Sequence, residues 1–235
     1  MKSLEEWKAI WQQTQLDMQN SLQILSDEED FFPDHGSMIC TMDVQYEDEL
    51  AYVAMDVMYW PDQPYRIFLY REKVKAPYVP GYFSFREGPI LQQALRALKD
   101  YLGRKPDILI IDGHGTAHPR KMGIASWIGI KEDIKSMGVA KDPLLKQDYS
   151  MPDEEGSQCE VFWGNDCVGY ALRTQVGVKP IYVSAGHLMS QDISREIAWR
   201  LRGQYRIIDP IRRADWAARA FSKKESSPKH IFLDI

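Results

Sequence analysis

Apolar and polar residues alternate along three segments in the first third of the chain, and this period of two predicts β-strands. The segments cover residues 37–46, 49–60 and 65–73. Short turn signals, YED and PDQP, separate them, so we expect three antiparallel strands in a meander. An amphipathic stretch at residues 4–25 precedes the strands and predicts a helix.

Helical and strand patterns alternate along the rest of the chain. Pro89 opens a predicted helix that Gly103 closes. Further strands are predicted at residues 107–112, 138–141, 159–164, 167–175 and 180–186, and further helices at 123–138, 190–202 and 210–222. This order predicts an α/β mixed sheet covered by helices, in one domain over residues 1–235 with a polar, mobile tail from about residue 222.

Composition limits the class of protein. Hydrophobic residues make up 44% and charged residues 27% of the 235 positions, which is typical of a globular protein. No run of 18 apolar residues occurs and the N-terminus lacks an apolar signal-peptide segment, so no membrane association is expected. Three cysteines without a CxxC pair argue against a disulfide framework or a zinc site. These features predict a cytoplasmic protein.

Charge is unevenly distributed along the chain. The formal net charge is −5, which by itself disfavours nucleic acid as a ligand. Residues 1–60 hold 13 acidic and 2 basic residues, however, whereas residues 186–235 hold 6 acidic and 10 basic residues. The C-terminal excess is either a solvated basic face or a binding surface, and charge alone does not separate the two interpretations.

Four carboxylates near the ends of predicted elements are candidates for chemistry: Asp43, Glu87, Asp112 and Asp215. Asp43 lies inside the first strand, where burial is costly unless the group is paired or binds a cation. Asp112 ends the strand ILII, at the end where ligands gather in open α/β sheets. If the four converge, they supply hard oxygen ligands for Mg²⁺ and suit metal-assisted phosphoryl transfer.

Each of these residues also has a purely structural interpretation. Glu87 could cap the helix beginning at Pro89, Asp215 could pair with an arginine of its own helix, and Asp43 could face a buried arginine. In the loop DGHGTAHPR, His118 could serve as a hydrogen-bonding loop residue and the glycines could serve a tight turn. No GxGxxG follows the strand, so dinucleotide binding is weakly supported.

Five motifs in fixed order resemble the endonuclease V family of DNA repair nucleases. They are PYVPGYFSFREGP (77–89), DGHGTAHPR (112–120), GVAK (138–141), VSAGH (183–187) and RADWA (213–217). The resemblance runs from about residue 37 to 217 and implies an RNase H-like fold with helices on both faces of the sheet. It also implies a Mg²⁺ cofactor, for which Mn²⁺ can substitute.

The resemblance assigns roles residue by residue. It implies catalytic roles for Asp43, Glu87, Asp112, His118 and Lys141, and metal binding by Asp43, Glu87, Asp112 and Asp215. It implies that Tyr78 is a wedge inserted into DNA, a position that Pro77 and Pro80 would stiffen. Gly81, Gly113 and Gly115 are expected to form the base pocket, and Arg120 and Arg212 to contact phosphates. Trp127, Leu188 and Ile211 depart from the residues usual in the family.

The implied function is cleavage of the second phosphodiester bond 3′ to a deaminated base, chiefly deoxyinosine, leaving 3′-hydroxyl and 5′-phosphate ends. The expected partner is damaged DNA, and the enzyme is expected to be a monomer. One alternative is an endoribonuclease acting on inosine-containing RNA, which would be recognised through the 2′-hydroxyl. Another is a non-catalytic nucleic-acid-binding protein on the same fold, against which the retained carboxylates weigh, because carboxylates without a metal repel one another.

Overall fold

A nine-stranded sheet lies at the centre of the protein. The structure is a computed structural model, and it describes residues 4–61, 65–74, 79, 81–224 and 230–233. The strands are β1 (Met38–Glu47), β2 (Leu50–Tyr59), β3 (Arg66–Lys73), β4 (Ile108–Asp112), β5 (Lys135–Ala140), β6 (Gln158–Trp163), β7 (Asp166–Leu172), β8 (Ile181–His187) and β9 (His230–Phe232). The helices are α1 (Leu4–Gln19), α2 (Phe83–Leu102), α3 (Ile124–Glu132), α4 (Gln191–Arg200) and α5 (Asp209–Ser222).

The strand order is β6-β7-β8-β5-β4-β1-β2-β3-β9. The predicted meander is confirmed, since β1 pairs with β2 and β2 pairs with β3 in antiparallel fashion. On its other side β1 pairs in parallel with β4, and β4 pairs in parallel with β5. The carboxyl ends of these three parallel strands therefore meet at one edge of the sheet.

Helices cover both faces of the sheet, as the resemblance implied. One core joins Met42 of β1 and Leu109 of β4 to α1, α2 and α3. The opposite core joins Ile39 of β1 and Ile110 of β4 to α4 and α5. Because side chains alternate along a strand, each strand contributes to both cores, and the sheet is mixed and buried on both sides.

Two predicted boundaries in the middle of the chain were wrong. The helix α2 begins at Phe83, six residues before Pro89, and Pro89 lies inside it at the cost of one backbone hydrogen bond. The predicted helix 123–138 ends at Glu132, because Asp133 adopts a left-handed conformation with φ of 48°. The residues after it form β5, whose pairing with β4 and β8 outweighs their helical pattern.

The two ends of the chain also differ from the pattern. The helix α1 stops at Gln19 instead of residue 25. Near the C-terminus, His230–Phe232 forms β9 beside β3, a strand that was not predicted. Residues 225–229, in the tail expected to be mobile, lie outside the described residues. Where the chain is described, no helix combines the length and the apolar character needed to cross a membrane.

Candidate active site

Asp43 and Asp112 lie side by side at the carboxyl edge of the central strands. The parallel register pairs Met42 with Ile111, so the next residue of each strand is one of these aspartates. Both follow the alternation that points Ile39 and Ile110 toward the core under α4 and α5. The sheet itself thus sets two carboxylates next to each other, and one of them, Asp43, is only 8% exposed.

The environment of Asp43 opposes its ionisation. Burial is the main cause, and the charges of Asp112 and Asp215 add to it, so the pKa of Asp43 rises to about 7. The Gln45 side chain partly offsets this, because its Nε2 donates to Asp43 Oδ2 at 3.2 Å and to Asp215 Oδ1 at 3.1 Å. A group that pays this electrostatic cost is a candidate for function.

Glu87 reaches the same region from α2 on the other face of the sheet. It is 5% exposed and accepts a hydrogen bond from the Tyr46 hydroxyl at 3.1 Å. Burial raises the pKa of Glu87 well above its ordinary value, and the charges of Asp43 and Asp112 raise it further. Glu87 and the two strand aspartates thus form one group of carboxyls, near enough for the aspartate charges to oppose the ionisation of Glu87.

Lys141 supplies the positive charge of the group. It follows β5 directly, and its Nζ lies 2.8 Å from Asp112 Oδ2. Burial alone would lower the pKa of Lys141, but the negative charge of Asp112 raises it overall. Lys141 is therefore a firmly charged ammonium beside the carboxylates.

Asp215 completes the group from α5. Its Oδ1 accepts hydrogen bonds from Gln45 and, at 3.0 Å, from Arg219 one turn further along the helix. Asp215 therefore pairs with an arginine of its own helix, as its structural interpretation predicted, and it also lies beside Asp43.

The donor set fits a divalent cation by its chemistry. Within the described ranges, no three histidine, cysteine, aspartate or glutamate side chains are already spaced to hold a metal ion. The carboxylates instead contact Lys141, Gln45, Tyr46 and Arg219. A hard cation prefers carboxylate oxygens, and its charge would offset the burial and the neighbouring charges that raise the pKa values of Asp43 and Glu87.

A cavity of about 280 Å³ adjoins this edge. The loop after β4 and the start of α2 form its walls, and its lining includes Gly81, Gly113 and His118. Gly115 does not line it. Gly115 packs closely on β8 instead, since a Cβ at this position would lie 2.1 Å from the Ala185 carbonyl oxygen. Two of the three predicted pocket glycines are thus brought together, and Gly115 instead packs the loop against the sheet.

His118 is a buried, neutral imidazole in the cavity wall. Its Nδ1 accepts a hydrogen bond from the Arg120 backbone amide at 3.1 Å. Burial, followed by the nearby charge of Arg120, lowers the pKa of His118 to about 3. At neutral pH the side chain therefore carries no charge and acts only through hydrogen bonds.

The two arginines expected at phosphates already have protein partners. The Arg120 guanidinium donates to Gln15 Oε1 at 2.6 Å and also binds the Gly81 carbonyl oxygen. The Arg212 guanidinium stacks on the Tyr205 ring with its carbon 3.4 Å from the ring centroid, and both residues are accessible. Arg212 is thus half-exposed and also lies 3.8 Å from Asp209, whereas Arg120 joins Gln15 to the cavity-lining Gly81. Tyr78, the predicted wedge, lies outside the described residues.

Several residues of this region were not predicted from the sequence. Gln45 lies two positions after Asp43, so the strand alternation alone places it on the same face. No local sequence pattern predicts the hydrogen bond of Tyr46, because its partner Glu87 is 41 residues away. Trp127, one of the departures from the family, packs on Gly88, where a Cβ would lie 2.5 Å from the indole ring.

The fold and the carboxylates at its central strand ends define the class: this is a nuclease on an RNase H-like fold. The model of the family Endonuclease V matches residues 20–216. The chain belongs to the endonuclease V family. This sets aside the alternative of a non-catalytic binding protein.

Relatives and solved structures agree with this family. Endonuclease V of Dictyoglomus thermophilum is 39% identical over 179 residues, or 76% of this chain and 75% of the relative. The crystal structure of endonuclease V from Streptomyces avermitilis superimposes with a TM-score of 0.80 at 31% identity, over 97% of this chain and 96% of that one. Endonuclease V of Ciona intestinalis, in complex with a 24mer DNA containing an inosine followed by a ribo-adenosine, gives a TM-score of 0.79 at 27% identity, over 94% and 100%.

Proposed function

We propose that this chain is a Mg²⁺-dependent endonuclease that recognises deoxyinosine in DNA and cleaves the second phosphodiester bond on its 3′ side, leaving 3′-hydroxyl and 5′-phosphate ends. The observation that carries the proposal is the adjacent pair Asp43 and Asp112 at the sheet edge, beside a cavity large enough to hold part of a flipped base. The inosine-containing DNA bound by the Ciona relative supports the choice of lesion.

The metal would be held by Asp43, Glu87, Asp112 and Asp215. Nucleases of this family generally depend on divalent metal ions. Bound there, Mg²⁺ would activate the attacking water and neutralise charge on the leaving oxygen, and Mn²⁺ can replace it. Gln45 would keep Asp43 and Asp215 oriented toward each other, because its Nε2 donates one hydrogen bond to each carboxylate.

Lys141 and His118 would act on the phosphate and its surroundings. The Lys141 ammonium lies at the carboxylate group and can neutralise developing negative charge on the phosphoryl oxygens. His118 is neutral and its Nδ1 accepts from the Arg120 amide, so its Nε2 carries the hydrogen and can donate one hydrogen bond, but it does not supply a cation. Arg212, half-exposed on α5, would bind a backbone phosphate and set the register of the duplex, whereas Arg120 would act mainly through its hydrogen bond to the cavity-lining Gly81.

The base would enter the cavity lined by Gly81 and Gly113. Its walls are rich in backbone and have few charged side chains, which suits a flat, neutral purine such as hypoxanthine. Tyr78 is proposed to fill the gap that the flipped base leaves in the stack.

The test is cleavage of matched oligonucleotides by the purified chain in Mg²⁺. The substrates carry one inosine in a DNA duplex, in single-stranded DNA or in RNA, each beside an inosine-free control, and product ends are mapped on a sequencing gel. Asp112→Asn should abolish cleavage while leaving binding of the inosine duplex largely intact. Asp107→Asn, just before the opposite end of β4, is the matched control and should remain active.

The RNA substrate tests the second candidate function, cleavage of inosine-containing RNA. One observation favours it: the DNA bound by the Ciona relative carries a ribo-adenosine directly after the inosine, so that protein is seen with a ribose at this position. Faster cleavage of the RNA than of the DNA duplex would select this candidate. Full cleavage of DNA by Asp112→Asn would contradict both.

A further inference from the structure

The helix α1 lies outside the segment that the family model matches, yet it packs on the walls of the candidate base cavity. The match begins at residue 20, and α1 ends at Gln19. Trp11 of α1 stacks on Phe85 with ring centroids 5.3 Å apart and also contacts Tyr82. Both rings belong to the segment that forms one wall of the cavity, so α1 supports this wall from behind.

Gln15 is the α1 residue that contacts both walls. Its Nε2 donates to the Met122 carbonyl oxygen at 3.2 Å and lies 3.4 Å from Ser84 Oγ. Met122 and Ser84 both line the cavity, the first from the loop after β4 and the second from the start of α2. One amide nitrogen therefore joins the two walls.

The oxygen of the same amide is part of a second chain of hydrogen bonds between the walls. Gln15 Oε1 accepts from Arg120 Nε at 2.6 Å, and the Arg120 guanidinium donates onward to the Gly81 carbonyl oxygen. Gly81 again lies in the cavity lining. Gln15 is fully buried, so water does not substitute for any of these bonds.

The chemistry of this position requires an amide. The side chain must donate to a carbonyl oxygen and accept from a guanidinium at the same time. Without it the buried Met122 carbonyl oxygen loses its donor, and the Arg120 guanidinium loses the contact that joins it to α1. A carboxylate accepts from Arg120 but faces the Met122 oxygen without a proton. A thioether of similar volume satisfies neither partner.

We propose that Gln15 is a positioning residue for base recognition: it fixes the separation of the two walls of the cavity and thereby the affinity for the flipped hypoxanthine. The inference rests on the proposed function of the cavity. The hydrogen bonds of Gln15 run to Met122, Ser84 and Arg120 and not to the carboxylates or Lys141, so it should affect capture of the base more than the chemical step.

The experiment compares Gln15→Met with Gln12→Met, the same substitution at an exposed glutamine of the same helix. Single-turnover cleavage of the inosine duplex is measured across enzyme concentrations, which separates the half-saturating concentration from the maximal rate. For Gln15→Met we expect the half-saturating concentration to rise about tenfold. The maximal rate should stay within about threefold of wild type. Gln12→Met should match wild type in both.

Gln15→Glu gives an independent readout and carries the test if Gln15→Met does not fold. Its half-saturating concentration, taken relative to wild type at each pH, should be raised at pH 8 and should approach wild type as the pH falls, because a protonated carboxyl both donates and accepts. A role in stability alone would not produce this pH-dependent rescue.

Three results would overturn the inference: an unchanged half-saturating concentration in both Gln15 variants, an equal loss in Gln12→Met, or a fall in maximal rate as large as the loss of affinity. These outcomes are distinct from failure of the proposed function, in which wild type itself would not cleave the inosine duplex.

Discussion

Replacing Asp43 by asparagine should stabilise the protein while it removes a proposed metal ligand. The pKa of this carboxyl is raised from 3.8 to about 7, so the folded chain holds a proton that the unfolded chain has released between these values. Stability therefore falls as the pH rises through this window, and the penalty is complete above the folded pKa. A shift of this size corresponds to at most about 4 kcal/mol at pH 8. Asparagine retains an oxygen for the Gln45 bond and carries no charge.

Asp56→Asn is the matched control, since Asp56 pairs across from Thr41 on the neighbouring strand and is also buried. Its carboxylate accepts two hydrogen bonds from Arg213, at 2.5 and 3.0 Å. Burial raises the pKa of Asp56 as well, although the hydrogen bonds and charge of Arg213 oppose this rise. Asparagine there leaves a partly buried guanidinium without its counterion, which should cost up to about 3 kcal/mol and outweigh the relief of burial. The same chemical change at two sites in one sheet should thus act in opposite directions.

The assay is urea denaturation at pH 8 with EDTA, repeated with excess Mg²⁺. Without metal, Asp43→Asn should unfold at higher urea than wild type, and Asp56→Asn at lower urea. With Mg²⁺ the advantage of Asp43→Asn should shrink, because wild type gains the free energy of ion binding. If Asp43→Asn unfolds earlier than wild type in EDTA, burial and the neighbouring carboxylates do not oppose the ionisation of Asp43 as described, and the electrostatic argument for a cation site fails.

Three further predictions concern single residues. Lys141→Ala should slow single-turnover cleavage by about 10²–10³ at saturating enzyme; a variant that loses only binding would make Lys141 a phosphate anchor. His118, neutral in the folded chain, should make wild type lose about 2 kcal/mol more stability than His118→Gln between pH 7 and pH 5. Parallel pH profiles of the two proteins in urea denaturation would show that His118 is not the buried neutral group described. Tyr78→Ala should weaken capture of the inosine duplex by about 1–3 kcal/mol, less so for single strands, while Tyr78→Phe stays active; equal losses on both substrates would remove the wedge role.

The sequence predicts which strand residues share the face of the site, because side-chain direction alternates along a strand. Alternation along β1 places Asp43 with Ile39, and the parallel pairing of β1 with β4 then brings Asp112 beside it. The strand period and the rule that ligands collect at carboxyl ends of strands single out the two residues from sequence, whereas the pairing of β1 with β4 that makes them neighbours comes from the structure.

The parts that sequence did not predict depend on distant contacts. Gln15 meets Met122 across 107 positions and Ser84 across 69, and nothing in the helical pattern of α1 marks Gln15 above its exposed neighbours. The first residues of β5, 135–137, were assigned to a helix because they extend the preceding helical pattern, whereas its last residues fall in the strand predicted at 138–141; the pairing of β5 with β4 and β8 is non-local. Local propensity is overridden in such places by tertiary pairing.

The helix α5 gives the protein a built-in order of assembly. It carries Asp215 to Gln45 across 170 positions and Arg213 to Asp56 across 157. A ribosome has therefore translated β1 to β8 before this helix can dock. The carboxylates of β1 and β4 are made before Asp215, and they acquire it as a neighbour only once α5 has been synthesised. A truncated polypeptide that lacks α5 is thus expected to have no nuclease activity.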